Sequence, residues 1–266
     1  MPYLDLHGVT KRYRAVTGGS GLALSDVNVT IESGEFVALV GLSGCGKSTL
    51  LTIAAGLIDA TEGSVLFQGR PLTGPPRQMI FLFQQYTKSI FPWKTVLKNV
   101  AFGLANRERL PRADLHARCA EAIRRVGLAG YEHYYPWQLS GGMQQRVALA
   151  RALVCAPEVL LMDEPFSAVD AMTRGELQDL VLALYRDLRL TVLFVTHDID
   201  EAVYLSTRVL VMTRAPGRIL VDIPVDLPFP RDQLTTRASA RFLERREVIF
   251  RAVESEKALL TAEAAP

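Results

Sequence analysis

Short apolar runs alternate along this chain with segments in which apolar residues recur at helical spacing. Strands that are buried on both faces are almost continuously apolar, so the runs predict a largely parallel sheet covered by helices, an α/β fold. The predicted strands are FVALVG (36–41), MIFLFQ (79–84), VLLMD (159–163), TVLFVT (191–196) and RVLVM (208–212). The predicted helices are KSTLLTIAAGL, RVALARALV and GELQDLVLALYRDL.

Three segments depart from this alternation. The opening stretches LDLHGVTKRY and LALSDVNVTIESGE alternate apolar and polar residues, which predicts an antiparallel β portion with an exposed hairpin tip at TGGSG, residues 17–21. Residues 88–155 show fewer strand signals and several helix-like pieces, so we expect a helical insertion between the second and third strands. The tail from about Thr235 is rich in Arg, Glu and Ala and predicts an amphipathic helix.

Composition narrows the class of protein without identifying it. Of the 266 residues, 49% are apolar and 22% are charged, which is typical of a globular protein, and a net charge of +2 gives no argument for nucleic acid as a partner. The three scattered cysteines favour a reduced, cytosolic setting over a disulfide framework. The sequence has no signal-peptide pattern and no apolar run near the ~20 residues of a membrane helix. We therefore expect any membrane role to depend on other chains.

The stretch GLSGCGKST, residues 41–49, follows a predicted strand and opens a predicted helix. It fits G-x-x-x-x-G-K-[ST], in which glycines let backbone N–H groups surround phosphate oxygens at a helix N-terminus. Lys47 is placed to neutralise the β- and γ-phosphates of a nucleotide, and Ser48 to bind Mg²⁺. The flanking strand and helix argue against a glycine-rich turn that binds nothing. The predicted nucleotide-binding residues here are Gly41, Ser43, Gly44, Cys45, Gly46, Lys47, Ser48 and Thr49.

Other predicted strands end in polar residues that belong at the same edge of the sheet. VLLMDE places Asp163 and Glu164 at this edge, where Asp163 can hold Mg²⁺ and Glu164 can polarise an attacking water. His197 follows LFVT, and Gln84 follows MIFLF. Each of these side chains can also be an ordinary solvated group at a strand end, and it is the phosphate loop upstream that favours catalysis.

A second helix start suited to an anion lies in LSGGMQQR, residues 139–146, where a serine and two glycines precede a helical run. This chain resembles the ATP-binding cassette ATPases, which are the nucleotide-binding subunits of ABC transporters. The resemblance rests on six motifs that follow one another in the order found in that family: GLSGCGKST, FQQ, LSGGMQQR, VLLMDEP, SAVD and VTHD. The resemblance covers nearly the whole chain, and LSGG is specific because it hardly occurs in other phosphate-loop families.

The resemblance implies a fold and a domain organisation. It implies a P-loop NTPase core of RecA-like fold with an antiparallel β portion and a helical subdomain. The ATPase domain is expected over residues 1–234, with its core at about 1–87 and 156–234 and the helical subdomain at about 88–155. Residues 235–266 are expected to form a C-terminal helical tail. ATP and Mg²⁺ are the implied ligands.

The same resemblance implies residue roles. Tyr13, in KRY, matches the aromatic residue that stacks on adenine, although it can also be an ordinary β-surface aromatic. Gln84 matches a glutamine that touches Mg²⁺ and couples the site to the transporter, and Glu164 matches the catalytic base. Asp170 matches an inter-subunit aspartate, and His197 matches the switch histidine that contacts the γ-phosphate. The implied Mg²⁺ ligands are Ser48, Gln84 and Asp163, and the implied catalytic residues are Glu164, His197 and Gln84.

In this family two cassettes pair head to tail, and the LSGG helix of each covers the ATP that the other holds. Ser140 and the backbone amides of Gly141 and Gly142 are then donors to the partner's γ-phosphate. The expected partner is a second copy of the cassette, or a paralogue in a heterodimer; an ordinary serine-capped helix is the alternative. Met143 stands where the family most often has Gln, which puts in doubt any polar contact of that position.

The resemblance is closest to importers of nitrate, sulfonates and taurine, through LSGGMQQR, SIFPWKTVLKNVAFGL (89–104) and DEPFSAVDAMTR (163–174). It implies transmembrane permease subunits, an indirect link to a substrate-binding protein, and a peripheral location on the cytoplasmic face of the inner membrane. Alternatives are an importer of another small solute, such as a thiamine precursor or an aromatic carboxylate, and a soluble ABC ATPase outside transport. A cassette acting on nucleic acid or ribosomes would be expected to have tandem cassettes, coiled-coil arms or a basic cluster, and a small-molecule kinase has no use for LSGG.

Two further expectations concern single sites. In this family the segment after Gln84 receives a helix of the permease, so Ile90, Phe91, Pro92 and Trp93 are candidate docking residues; the alternative is that Phe91 and Trp93 pack inside the helical insertion. Cys45 can simply be a small residue that fits the loop; the alternative hypothesis is that phosphate-loop amides and Lys47 lower its pKa and make it sensitive to alkylation.

Overall fold

The computed structural model describes residues 2–14, 20–84, 89–105, 107, 110–167 and 169–263. The chain divides into two compact units, one of residues 1–76 with 190–266 and the other of residues 77–189. The sequence-based boundaries of the core, the helical subdomain and the tail stay predictions.

The first unit begins with an antiparallel sheet. Its strands are β1 (Leu4–Arg14), β2 (Ser20–Ile31), β4 (Glu62–Phe67) and β5 (Arg70–Pro71), in the order β2-β1-β4-β5. The alternating pattern of the opening segments therefore correctly predicted β1 and β2. Most of the expected hairpin tip at residues 17–21 lies outside the described residues.

A second set of strands in this unit is mostly parallel. β3 (Phe36–Val40) pairs in parallel with β8 (Thr191–Val195) on one side and with β9 (Arg208–Met212) on the other, and β10 (Ile219–Pro224) pairs antiparallel with β9. Every residue of β3 and β8 is buried, as their continuous apolar sequences predict. Three helices accompany these strands: α1 (Lys47–Ala54), α6 (Ile199–Leu205) and α7 (Ala240–Glu263).

α7 confirms that the tail is helical, although the helix begins at Ala240 and not at about Thr235. Phe242 and Ile249 are buried on its inner face, and Leu243 and Phe250 are exposed. The buried carboxylate of Glu256 accepts a hydrogen bond from the backbone N–H of Arg214, at 2.8 Å. The tail helix is thus packed on the rest of the first unit by apolar and polar contacts.

The second unit contains two parallel strands, β6 (Met79–Leu82) and β7 (Val159–Asp163), with Leu82 opposite Met162. Between them in sequence lie the helices α2 (Val96–Phe102), α3 (Arg112–Arg125) and α4 (Gly141–Leu153), and β7 is followed by α5 (Ala171–Leu188). The helical insertion expected between these strands is therefore present. Within the part of the chain that is described, no helix combines the length and the apolar character that a bilayer crossing needs.

Candidate functional site

The phosphate loop of the first unit has the backbone that its glycines predict. Gly44 and Gly46 have φ angles of 79° and 102°, in the left-handed region that residues with a Cβ seldom adopt. A Cβ at Gly46 would lie 2.7 Å from Leu24 Cδ2 and 2.9 Å from the carbonyl oxygen of Ala23. Gly46 is also the N-cap of α1. The loop therefore packs against β2 and turns directly into a helix N-terminus, which is the shape required to surround a phosphate.

Lys47 is the first residue of α1, and its side chain folds back over the loop. Its Nζ donates to the carbonyl oxygens of Gly41 and Leu42, both at 2.9 Å, and the residue is buried. Ser43, Gly44 and Ser48 are exposed on the outer side of the loop, and Thr49 is half-buried. A buried ammonium group beside exposed loop residues fits a phosphate ligand, because the cation is held next to the loop where the anion would bind.

Cys45 corrects one expectation from the sequence. Its side chain is only 1% exposed, and burial raises the pKa of the Cys45 thiol, although Lys47 opposes this effect with its Nζ 3.9 Å from Sγ. The prediction of a lowered pKa was wrong, because loss of solvation disfavours the thiolate more than the nearby ammonium group favours it.

Tyr13 lies on β1 with 46% of its surface exposed, and Lys11 Nζ is 5.4 Å from the centre of its ring. An exposed ring of this kind is available for stacking, and it equally fits an ordinary strand surface. Its adenine contact stays a prediction.

His197 lies at the same edge of the first unit as the phosphate loop. Leu39 of β3 pairs with Val195 of β8, so the two parallel strands end side by side and continue into Gly41 and His197 respectively. The backbone N–H of Thr196 donates to the carbonyl oxygen of Leu39 at 3.2 Å, which extends this pairing by one residue. The imidazole is exposed. His197 therefore lies at the strand ends, as its sequence position predicted, and at the edge where β3 leads into the phosphate loop.

The residues that flank His197 form a hydrogen-bonded group that the sequence analysis did not identify. Thr196 is buried; its hydroxyl donates to Glu201 Oε2 at 2.7 Å and accepts from the backbone N–H of Asp198 at 3.0 Å. Asp198 caps α6 by accepting from the N–H of Glu201 at 3.1 Å. The acid three residues after an N-cap in DIDE is a capping-box signal that could have revealed this group.

In the second unit, Gln84 and the acids at the end of β7 come together. β6 and β7 are parallel neighbours. Gln84 lies two residues beyond the end of β6, and Glu164 lies one residue beyond the end of β7. Gln84 Nε2 donates to Glu164 Oε2 at 3.2 Å. Glu164 has a φ of 42°, an unusual backbone conformation for a residue with a long side chain. The parallel pairing therefore places the predicted base beside the predicted coupling glutamine.

The LSGG stretch forms a capped helix start, as predicted. Ser140 is the N-cap of α4, and its Oγ accepts from the backbone N–H of Met143 at 3.3 Å. Ser140 and Gly141 are exposed, whereas Gly142 is buried against α5. A Cβ at Gly142 would lie 2.2 Å from Thr173 Cγ2, so packing against α5 favours glycine at this position without any ligand. The geometry fits both an ordinary cap and an anion site.

Asp170 is the N-cap of α5, where Oδ1 accepts from the backbone N–H of Thr173 at 3.0 Å. This backbone hydrogen bond lowers the pKa of the exposed Asp170 carboxyl. The local structure thus gives Asp170 a capping role, and its inter-subunit role stays a prediction.

Gln145 connects α4 to the segment that follows Glu164. Its Nε2 donates to the carbonyl oxygen of Pro165, while its Oε1 is buried without a hydrogen-bond partner among the described residues. Sequence analysis did not single out Gln145, because a glutamine within a helix gives no signal of burial.

A groove of about 420 Å³ lies beside the expected docking segment of the second unit. Ile80, Leu82, Ser89, Phe91, Phe102 and Arg151 are among the residues that line it. Ile90 is 4% exposed, so its expected place in an exposed patch was wrong; it packs inward instead. Trp93 is 69% exposed, and Phe91 is half-buried with its ring 5.6 Å from that of Trp93. The alternative that both rings pack inside therefore fails for Trp93.

The structure thus groups the predicted residues by unit. Tyr13, the phosphate loop and His197 belong to the first unit, whereas Gln84, Ser140, Gly141, Gly142, Asp163, Glu164 and Asp170 belong to the second. That Ser48, Gln84 and Asp163 hold one Mg²⁺ stays a prediction.

Comparison with known proteins relates these features to a family. A family model described as "ABC transporter" matches residues 24–167. An uncharacterized ABC transporter ATP-binding protein of Methanocaldococcus jannaschii is 47% identical over 253 residues, which cover 95% of this chain and 92% of the relative. The aliphatic sulfonates import ATP-binding protein SsuB of Bacillus licheniformis is 49% identical over 232 residues, or 87% of each chain.

Solved structures agree with this result. An ATP-binding cassette in a dimeric post-hydrolysis state, bound to ADP and Pi, has a TM-score of 0.73 and 33% identity over 84% of this chain and 98% of its own. The cbiO1 protein of Clostridium perfringens, part of the ABC transporter complex cbiONQ, has a TM-score of 0.76 and 27% identity over 93% of this chain and 98% of its own.

Proposed function

The chain belongs to the ABC transporter family as an ATPase subunit, and from this premise we propose that it energises the import of a small solute through separate membrane subunits. The main support is the phosphate loop, where left-handed glycines lead into α1 beside the buried Lys47. The same chain has a second, serine-capped helix start at LSGG, which a simple phosphate-loop kinase would not need.

In this proposal the loop amides and Lys47 hold the triphosphate of ATP, and Tyr13 stacks on the base. Ser48, Gln84 and Asp163 would hold Mg²⁺, which would supply positive charge to the phosphates. Glu164 orients and deprotonates the attacking water, and its hydrogen bond with Gln84 supports this role by fixing the carboxylate. His197 contacts the γ-phosphate.

We propose that two copies pair so that Ser140, Gly141 and Gly142 of one cover the nucleotide of the other. The cap of α4 supports this arrangement, since Ser140 and Gly141 are exposed at the start of the helix. A related cassette is dimeric in a post-hydrolysis state with ADP and Pi, which supports a nucleotide-bound pair. A paralogue in place of the second copy would use the same surface.

The proposed solute is a small anion of the nitrate, sulfonate and taurine class. Similarity to a relative named for aliphatic sulfonate import, at 49% identity, supports this class. In the proposed assembly the chain is peripheral on the cytoplasmic face of the inner membrane. A permease helix docks in the groove that Phe91 lines, because an exposed tryptophan close to a largely apolar groove is typical of a protein interface. A substrate-binding protein acts on the permease and does not contact this chain.

The proposed function is tested with Glu164→Gln. Removing the base should lower ATP turnover by roughly 10²–10⁴-fold, while MgATP binding stays within about twofold of wild type, because the amide keeps the size and polarity of the side chain. Steady-state phosphate release and titration with a fluorescent ATP analogue measure the two quantities separately.

Lys47→Ala is the matched control for binding. It removes the ammonium group that faces the loop and should abolish detectable nucleotide affinity. Wild-type turnover in Glu164→Gln would disprove the base assignment. Co-purification of the chain with a hydrophobic permease subunit separates an importer from a soluble ATPase.

A further inference from the structure

Two residues that no part of the proposed mechanism uses surround His197 in the first unit. Thr196 and Glu201 are both buried, at 1% and 5% exposure, although the histidine between them in sequence is exposed. They belong to β8's continuation and to the first turn of α6, so the turn that contains His197 connects the strand to the helix.

The hydroxyl of Thr196 uses its hydrogen-bonding capacity in two directions. It donates to Glu201 Oε2 at 2.7 Å and accepts from the N–H of Asp198 at 3.0 Å. In an ordinary capping box the acid at the third helical position accepts directly from the N-cap N–H. Here the Thr196 hydroxyl lies between the Glu201 carboxylate and the Asp198 N–H, so the two are connected through this hydroxyl. Its two hydrogen bonds fix the rotation of the hydroxyl.

This group immobilises the backbone on both sides of His197. Before it, the N–H of Thr196 donates to the carbonyl oxygen of Leu39, two residues upstream of Gly41 in the phosphate loop. After it, the N–H of Asp198 is held by the Thr196 hydroxyl. These hydrogen bonds fix the position from which the imidazole extends relative to the strand that leads into the phosphate loop.

We propose that Thr196 and Glu201 are positioning residues for His197: the Glu201–Thr196–Asp198 hydrogen bonds aim the imidazole at the γ-phosphate held by the adjacent loop. This inference rests on the proposed function, in which His197 contacts that phosphate. Burial strengthens both bonds, and the bond to Glu201 is strong also because its acceptor is a carboxylate.

The test compares matched variants by steady-state ATPase kinetics. Thr196→Val keeps the shape of the side chain and removes the hydroxyl; we expect kcat to fall by roughly 10-fold with little change in KM, because small misplacements of reacting groups are costly. Thr196→Ser keeps the hydroxyl and should stay near wild type. Glu201→Leu should behave like Thr196→Val, and Glu201→Gln, which keeps an oxygen acceptor, should lose less.

Thr191→Val is the control at the other end of β8. Thr191 is equally buried, and its hydroxyl accepts from the N–H of Gly34 at 3.0 Å, so the same substitution removes a comparable bond away from the loop. We expect this variant to lower the Tm by no more than Thr196→Val does and to leave kcat unchanged. An equal loss of kcat in both variants would overturn the proposal.

A double-mutant cycle separates positioning from general stability. In a His197→Ala background, Thr196→Val should cause no further loss of kcat, because the group that it positions is gone. A further loss as large as in the wild-type background would overturn the inference, as would an unchanged kcat in Thr196→Val alone. A wild-type chain without ATPase activity would instead disprove the proposed function, and a fully active His197→Ala would disprove the role assigned to that histidine.

Discussion

At the scale of single residues, Cys45 shows two opposing electrostatic effects on one thiol. Lys47 lies close enough to favour the thiolate, and the same packing that brings it there excludes the water that would solvate the charge. Burial is the larger effect, so the pKa is raised from its ordinary value of 9.0. Residue type and spacing in the sequence revealed the nearby cation but gave no measure of burial.

This balance predicts slow alkylation of Cys45. At pH 7.5 a raised pKa leaves less thiolate than in a free cysteine, and labelling by iodoacetamide should be at least roughly 10-fold slower in the folded chain than in urea. The pH of half-maximal labelling rate should lie above 9.0, because the thiolate forms only as pH rises through the raised pKa. Peptide mass spectrometry over a pH series measures both, with the urea-unfolded chain as control. Equal rates in the folded and unfolded chains would contradict the prediction.

At the scale of elements, the close packing of the start of α4 against α5 depends on the absence of a Cβ at Gly142. Thr173 Cγ2 occupies the space that a Cβ of Gly142 would fill, and Asp170 fixes the first turn of α5 at this position. The start of the LSGG helix is therefore held in place by packing, separately from any ligand.

Gly142→Ala should consequently destabilise the protein, although alanine is the better helix former. We expect the free energy of unfolding to fall by about 1–2 kcal/mol, because overpacking outweighs the gain in helix propensity. Thr173→Ser removes Cγ2 and keeps the hydroxyl, so Gly142→Ala with Thr173→Ser should regain the stability of Thr173→Ser alone. Urea unfolding of the four proteins measures this coupling, and additive effects of the two substitutions would contradict the packing argument.

The elements differ in how far the sequence predicts them. β3, β7, β8 and β9 were predicted closely, because strands buried on both faces are continuously apolar. β4 and β10 were not, since at least half of their residues are exposed or half-buried and neither sequence has more than three consecutive apolar residues. α4 begins five residues, and α5 four residues, earlier than the apolar periodicity indicates, because Ser140 and Asp170 cap polar first turns.

The residues of the candidate site also differ in whether the sequence predicts them. Strand-end residues such as His197 and Gln84 were predictable because parallel strands end at a common edge. Thr196, Glu201 and Gln145 were not, because their contribution is a hydrogen bond inside the fold, which no sequence period records.

At the scale of the whole molecule, the chain presents one phosphate loop and one exposed LSGG helix start, and the proposed function requires them to meet on different copies. Glu164→Gln with MgATP should therefore double in mass in sedimentation velocity, because ATP that is not hydrolysed keeps the two surfaces joined. Adding Ser140→Tyr should prevent this doubling while leaving nucleotide affinity intact, since a large ring at the exposed cap of α4 excludes the partner's phosphate. A monomer under these conditions, also in the presence of its permease, would contradict the shared site.

The left-handed backbone conformation of Glu164 destabilises the folded protein, so selection for thermal stability alone should favour another residue at this position. A φ of 42° costs a residue with a Cβ roughly 1–3 kcal/mol, and glycine, asparagine and aspartate accept it more readily. A library selected only for survival at high temperature would be expected to drift toward those residues here. The recovered proteins would be more stable but would lack the proposed catalytic base, so stability and ATP turnover place opposite demands on this position.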